Sequence, residues 1–231
     1  MAENVPAPPV IRFPPSEPFG CDHRLYPHVV QFYLSDNFLL NIVCNFIVSA
    51  CKTRDGIVLV ATKSHLDGIL ERLVLRGIDV APLKLKGSYV EMDAEETLPP
   101  LMVDGVPDFA RFDRLISGAL TAAKAASDAK DSRLMVFGEL VALLFARKQL
   151  EAALAVEKFW SILESRYSFS LLCGYPIREF AEPGTEESFL RICAQHATIS
   201  CPEAYATAES EQRILRVTAR SYAEASAPRP T

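Results

Sequence analysis

The sequence has no run of lysines or arginines on any helix it predicts, and its 231 residues carry a net charge of −5 with a pI near 5.5. A protein that grips nucleic acid through its phosphates needs a basic face, so direct binding of DNA or RNA is not expected. No apolar run approaches the ~18–20 residues that cross a bilayer. The first residues, Met1 to Pro6, lack the basic and apolar regions of a secretory signal. We therefore expect a cytoplasmic protein that does not enter a membrane. None of the six cysteines belongs to a CxxC pair, and in a reducing compartment they are expected to stay thiols. Cys193 and His196 form a CxxH fragment that offers two zinc ligands, but no second pair of matching spacing accompanies it. Buried thiols are expected instead, and neither a metal nor a cofactor.

Glycine is missing where a nucleotide-binding fold would need it. Residues 28–33 (HVVQFY) and 56–62 (GIVLVAT) are apolar runs that bracket an apolar helix from about Asp36 to Thr53. Two short strands around one helix make a βαβ unit, the crossover that parallel strands require. Open α/β sheets bind ligands at the carboxyl ends of their strands, where the chain turns into these helices. Here the turn, residues 34–37, reads Leu-Ser-Asp-Asn. Ser35 can cap the helix, but a loop without glycine cannot turn its backbone N–H groups inward around a phosphate. Residues 33–40 also contain no lysine to reach a terminal phosphate, and Asp36 adds a negative charge where a triphosphate would sit. Binding or hydrolysis of ATP in the P-loop manner is therefore not expected.

What is present describes an ordinary globular body, 49% apolar and 23% charged. Residues 1–20 hold six of the sixteen prolines and are expected to form a disordered tail, extended or wandering. Residues 21–202 make one domain, and 203–231 a C-terminal helix from about Ala204 to Ala225 with a frayed end. Within the body the patterning predicts strands at 28–33, 57–62, 88–92, 133–137 and 169–173. Helices are predicted at 36–53, 63–76, 107–126, 140–146, 150–166 and 186–196. The fold class is α/β, with a mainly parallel five-stranded sheet and flanking helices. Pro99, Pro100 and the Asp104-Gly105 pair mark residues 97–106 as a candidate lid.

Tyr33, Ser35, Asp36, Thr62, Asp93, Glu139 and Tyr175 all fall near carboxyl ends of predicted strands, with Cys173 close by, so these eight are the candidate ligand-binding residues of one cleft. Asp93 also suits a helix start that favours acids. Asp93 with Glu139 would suit acid/base work if one pKa were raised, yet no nucleophile with a partnered base accompanies the pair. His28 lies roughly 16 Å along the strand from Tyr33 and is expected to be structural. Gln31, a buried amide, needs a partner from a neighbouring loop or from a ligand.

The order of elements is similar to the RecA/KaiC-like core of P-loop ATPases. Several fragments resemble more closely the MEDS family, the sensory domain of DcmR-type regulators of methylotrophs and methanogens. They are HVVQFY at 28–33 followed by Ser35-Asp36 and Phe38 to Leu40; Met102 to Gly105; Phe137 to Leu144; Phe169 to Cys173 with Tyr175-Pro176; and Ile192-Cys193 with His196. Leu34 departs from the pattern, standing where family members often carry an acid. The resemblance implies a degenerate RecA/KaiC-like fold that has lost its P-loop, and a sensory, non-catalytic module of a bacterial or archaeal signalling system. Such a module recognises a small metabolite such as a hydrocarbon derivative and serves transcription regulation or signal transduction. Family members tend to continue into a helix-turn-helix or kinase unit. This chain runs only about thirty residues past the resemblance, so output through a partner protein in trans is expected, with helix 204–225 mediating docking or assembly of a homo-oligomer. Two other functions compete with ligand sensing: a ligand-free interaction module, and an enzyme.

Overall fold

A computed structural model describes residues 10–12, 27–128, 131–181 and 184–200. The strands are β1 (Val10–Arg12), β2 (His28–Tyr33), β3 (Gly56–Ala61), β4 (Tyr89–Asp93), β5 (Met102–Val103), β6 (Val106–Pro107), β7 (Leu134–Gly138), β8 (Phe169–Pro176) and β9 (Thr198–Ser200). The helices are α1 (Asp36–Thr53), α2 (Lys63–Leu75), α3 (Ala81–Lys86), α4 (Ala94–Leu101), α5 (Phe109–Ala125), α6 (Leu140–Ala146), α7 (Leu150–Tyr167) and α8 (Glu186–Cys193).

The α/β class stands, with a larger sheet than expected. Seven strands in the order β1-β9-β2-β8-β7-β3-β4 form one sheet, and every pairing in it is parallel. The five predicted strands are its centre and one edge. The two additions, β9 and β1, extend it beyond β2, and β1 comes from the segment expected to be tail. Helix 204–225, the remainder of the tail, Cys21 and Cys201 lie outside the described residues.

Crossovers place helices on both faces of a parallel sheet, so its central strands are apolar on both sides. Alternate residues of β2, β3, β7 and β8 accordingly belong to two cores. On one face Val29, Tyr33, Ile57, Leu59, Met135, Phe137 and Leu172 pack against α1 and α2. On the other, Val30, Phe32, Val58, Val60, Val136, Leu171, Cys173 and Tyr175 pack with α4, α5, α6, α7 and α8 around the fully buried Trp160.

Local chemistry sets the helix starts at the carboxyl edge. Ser35 Oγ accepts from Phe38 N at the head of α1, and Asp93 Oδ1 accepts from Glu95 N and Glu96 N at the head of α4. Each such cap stabilises its helix by ~1 kcal/mol. Residues 97–106 are not a lid. Thr97, Leu98 and Leu101 are buried in the core, and Asp104 (φ 49°) and Gly105 (φ 79°) close a tight hairpin between β5 and β6. That pair of left-handed residues suits the two-residue hairpin turn. No helix among the described residues is long and apolar enough to cross a membrane.

Candidate functional site

Three strand-to-helix turns meet at Glu139, the residue between β7 and α6. Its backbone N–H donates to Val60 O at 2.9 Å, locking the ends of β7 and β3 together. Its side chain, only 3% exposed, turns toward the head of α2. Oε2 accepts from Thr62 N at 2.9 Å, and Oε1 lies 2.5 Å from Nδ1 of His65. The other ring nitrogen of His65, Nε2, lies 3.6 Å from Oδ1 of Asp36 in the first turn of α1. His65 therefore bridges one buried and one exposed carboxylate, Asp36 being 63% exposed.

Burial alone would lower the His65 pKa, but the hydrogen bond and charge of Glu139, with Asp36 behind it, outweigh this and hold it above the ordinary histidine value. Tyr33 stands beneath the same cluster. Burial, then the charges of Glu139 and Asp36, push its phenol pKa well up, so it stays protonated.

Five of the eight predicted residues thus gather at one place: Tyr33, Ser35, Asp36, Thr62 and Glu139. Ser35 takes part as the cap of α1 and Thr62 through its backbone N–H. Glu139 is a buried anchor rather than a residue lining an open edge. Asp93 ends its strand one place further along the sheet, and its carboxylate accepts from the N–H groups of α4, the helix-start alternative weighed above.

Cys173 and Tyr175 do not join this edge. Both point to the opposite face of the sheet and are fully buried. Tyr175 is roofed by Phe145 and Phe180, whose rings stack at 4.6 Å, so the strand ends on that face are filled with aromatic side chains. The polar partner there is Glu157 of α7, itself 0% exposed. Tyr175 donates to Glu157 Oε1 at 2.9 Å, and the Cys173 thiol to Oε2 at 3.5 Å. His28 Nε2 lies 3.3 Å from Oε2 and His196 Nε2 3.4 Å from Oε1. Burial raises the pKa of the Glu157 carboxyl and of the Cys173 thiol, and lowers His28 to about 3 and His196 to about 4. One ligand atom from each of His28, Glu157, Cys173 and His196 falls within 4.8 Å of the others, a grouping that can hold a metal ion.

Sequence reasoning missed His65 and Glu157, set His28 aside as structural, and discounted His196 because its CxxH fragment with Cys193 had no second pair. A signal existed for two of them. His65 follows the cap position of α2 by three residues, which returns its ring toward the sheet edge. Glu157 sits between Ala153, Val156 and Trp160 on the buried stripe of α7, where an acid demands a partner. Gln31 is also fully buried, and its Nε2 donates to Phe32 O at 2.7 Å.

The family profile described as MEthanogen/methylotroph, DcmR Sensory domain matches residues 27–190. The chain belongs to the MEDS family. No curated protein matches it. The match begins at the residue before β2 and ends inside α8, so it takes in all of the Glu139–His65–Asp36 cluster and three of the four grouped residues around Glu157. Leu34 is 45% exposed beside Ser35. Two surface clefts of the MEDS domain, about 400 and 430 Å³, lie away from the edge. One runs between α7 and α8 beside Glu151 and Arg191, the other between the β5–β6 hairpin and the start of α7.

Proposed function

We propose that this MEDS domain is a sensory module that binds a small metabolite at the carboxyl edge of the sheet, over Asp36, His65 and Glu139, and passes the binding event to a signalling partner. The observation that carries this is the His65 bridge between a buried acid and an exposed one. Glu139 is held by Thr62 N–H and fixes the His65 ring, while Asp36 keeps a carboxylate oxygen free to meet solvent or a ligand. The chemistry suits a small molecule with a hydroxyl or amine to donate to Asp36. Its apolar part would lie over Leu34 and the edge of Tyr33. The family's sensory character supports binding over turnover, and so do the buried phenol and thiol, both with raised pKa values and therefore poor nucleophiles. A degenerate RecA/KaiC-like fold is part of the same proposal, supported by the parallel sheet with its crossover helices; the glycine-free turn at the head of α1 bears only on the loss of a P-loop.

A thermal-shift screen of small alcohols and amines tests this proposal. It expects at least one compound to raise the melting temperature, with the shift lost in Asp36→Ala and in His65→Ala. Shifts that persist in both variants would move the site elsewhere. One observation favours the competing interaction module: Val74, Leu75 and Leu85 on neighbouring α2 and α3 are 63%, 80% and 90% exposed. Partner capture lost on their substitution, with no compound found by the screen, would support that alternative.

A further inference from the structure

We propose that His28, Glu157, Cys173 and His196 form a closed metal centre for a borderline-soft divalent ion such as zinc, on the face of the sheet opposite the sensory edge. It is independent of the ligand-binding proposal above, sharing none of its residues.

The four side chains come from four places: the first residue of β2, the middle of α7, the fifth residue of β8, and the turn between α8 and β9. Parallel pairing sets Val30 opposite Cys173, so His28, two residues back on the same face, reaches the thiol from below. The contacts around the cluster are 3.3 Å (His28 Nε2 to Glu157 Oε2), 3.4 Å (His196 Nε2 to Glu157 Oε1), 3.5 Å (Cys173 Sγ to Glu157 Oε2) and 3.7 Å (Cys173 Sγ to His28 Nε2). Zinc bonds of ~2.0–2.1 Å to nitrogen, ~2.0–2.2 Å to oxygen and ~2.3 Å to sulfur make tetrahedral edges of about 3.3–3.7 Å. The three contacts among His28 Nε2, Glu157 Oε2 and Cys173 Sγ already match these edges, and the four ligand atoms, His196 included, all lie within 4.8 Å of one another.

The second observation is the orientation of His196. Its Nδ1 lies 2.8 Å from Ile192 O, a carbonyl that can only accept, so Nδ1 carries the ring proton. That leaves a lone pair on Nε2. The atom is buried without a hydrogen-bond partner, facing a carboxylate oxygen that is also an acceptor. A cation between them turns two opposed acceptors into two ligands. Histidine ligands are commonly held this way, with the far nitrogen donating to a carbonyl. Tyr175 supplies the same support to the acid by donating to Glu157 Oε1 at 2.9 Å.

Charge agrees with this assignment. All four ligands are at most 4% exposed, and a lone buried carboxylate is costly. One thiolate and one carboxylate with two neutral imidazoles offset a doubly charged ion, so the filled site is neutral. Binding exchanges the ion for the Cys173 thiol proton, and for any proton held by Glu157, both released to water. Four protein ligands leave no open position for substrate, which makes the centre structural. It ties β9 and the end of α8 to the centre of the sheet.

Elemental analysis of the full chain, isolated without chelators or immobilised metal, is expected to find one zinc-class ion per chain. Cobalt(II) in its place should give the intense visible bands of a tetrahedral ion together with a thiolate-to-cobalt charge-transfer band. Cys173→Ser should abolish that charge-transfer band. Tyr175→Phe, which keeps the ring and removes only the supporting hydrogen bond, should weaken metal affinity about 10–100-fold. A metal-free chain in which cobalt(II) keeps the spectrum of the hydrated ion would overturn the proposal. So would a charge-transfer band unchanged by Cys173→Ser, which would place the ion on another thiol.

Discussion

Oε1 of Glu139 lies 2.5 Å from Nδ1 of His65, although the two residues stand 74 positions apart in the chain. The contact joins the turn after β7 to the first turn of α2, so the chemistry of the edge and the pairing of the central strands depend on the same side chain. Replacing Glu139 therefore perturbs both. Glu139→Ala leaves Thr62 N–H and the His65 ring without their acceptor, which costs ~1–3 kcal/mol. Asp36→Ala, removing an exposed carboxylate, should stay within about 0.5 kcal/mol of the parent. Urea denaturation of the two variants measures the contrast; equal losses would mean that Asp36 is as structural as Glu139.

The same pair sets a pH dependence. The His65 pKa in the folded chain stands above the ordinary histidine value of 6.5, because Glu139 and Asp36 overcome the opposing effect of burial. A raised folded pKa means that protonation favours the folded state. The stabilisation is complete below the unfolded value of 6.5 and is lost as pH rises through the raised folded value. The stability difference between the parent and His65→Gln should shrink over that window and be flat above it. An NMR titration of the His65 ring checks the direction independently, since a midpoint below 6.5 would reverse the sign.

Much of this edge was legible in the sequence. Ser35, Asp36, Thr62 and Glu139 each follow an apolar run that ends in a turn, and such positions fall at the carboxyl end of a parallel sheet wherever the strands pair. The side on which Cys173 and Tyr175 fall was not legible. A strand buried on both faces reads as an unbroken apolar run, so Phe169 to Tyr175 carries no alternation that ties its odd or even residues to those of β2. Only the register, with Val30 opposite Cys173, decides that these two face α7. The three-residue strands β1 and β9 escaped for another reason: they are too short to show periodicity, and β1 lies among prolines.

Close packing between β3 and α5 gives a prediction independent of ligands. A Cβ added at Gly56 would lie 2.7 Å from both Ala123 O and Leu134 Cδ2, and the carbonyl belongs to backbone that cannot swing aside. Gly56→Ala should destabilise the fold by ~1–3 kcal/mol through overpacking. A neutral result in thermal unfolding would mean that α5 can slide on the sheet.

Nucleotide binding of the P-loop type should be absent. The head of α1 presents a capping serine and the exposed carboxylate of Asp36 where phosphates would need inward N–H groups and a lysine. Calorimetric titration with ATP and magnesium is expected to give no saturable heat, and a phosphate-release assay no turnover. Micromolar binding abolished by substitutions at Ser35 and Asp36 would show that the turn still holds a triphosphate.

The sensory role is tested most directly by native mass spectrometry of the freshly isolated full chain, compared with the same sample under denaturing conditions. The account predicts a single organic adduct of small mass, distinct from any metal ion, that is released on denaturation and absent from a chain carrying both Asp36→Ala and His65→Ala. A parent chain that carries no organic adduct even after incubation with the compounds that stabilise it would contradict the account. So would an adduct that the double variant retains undiminished.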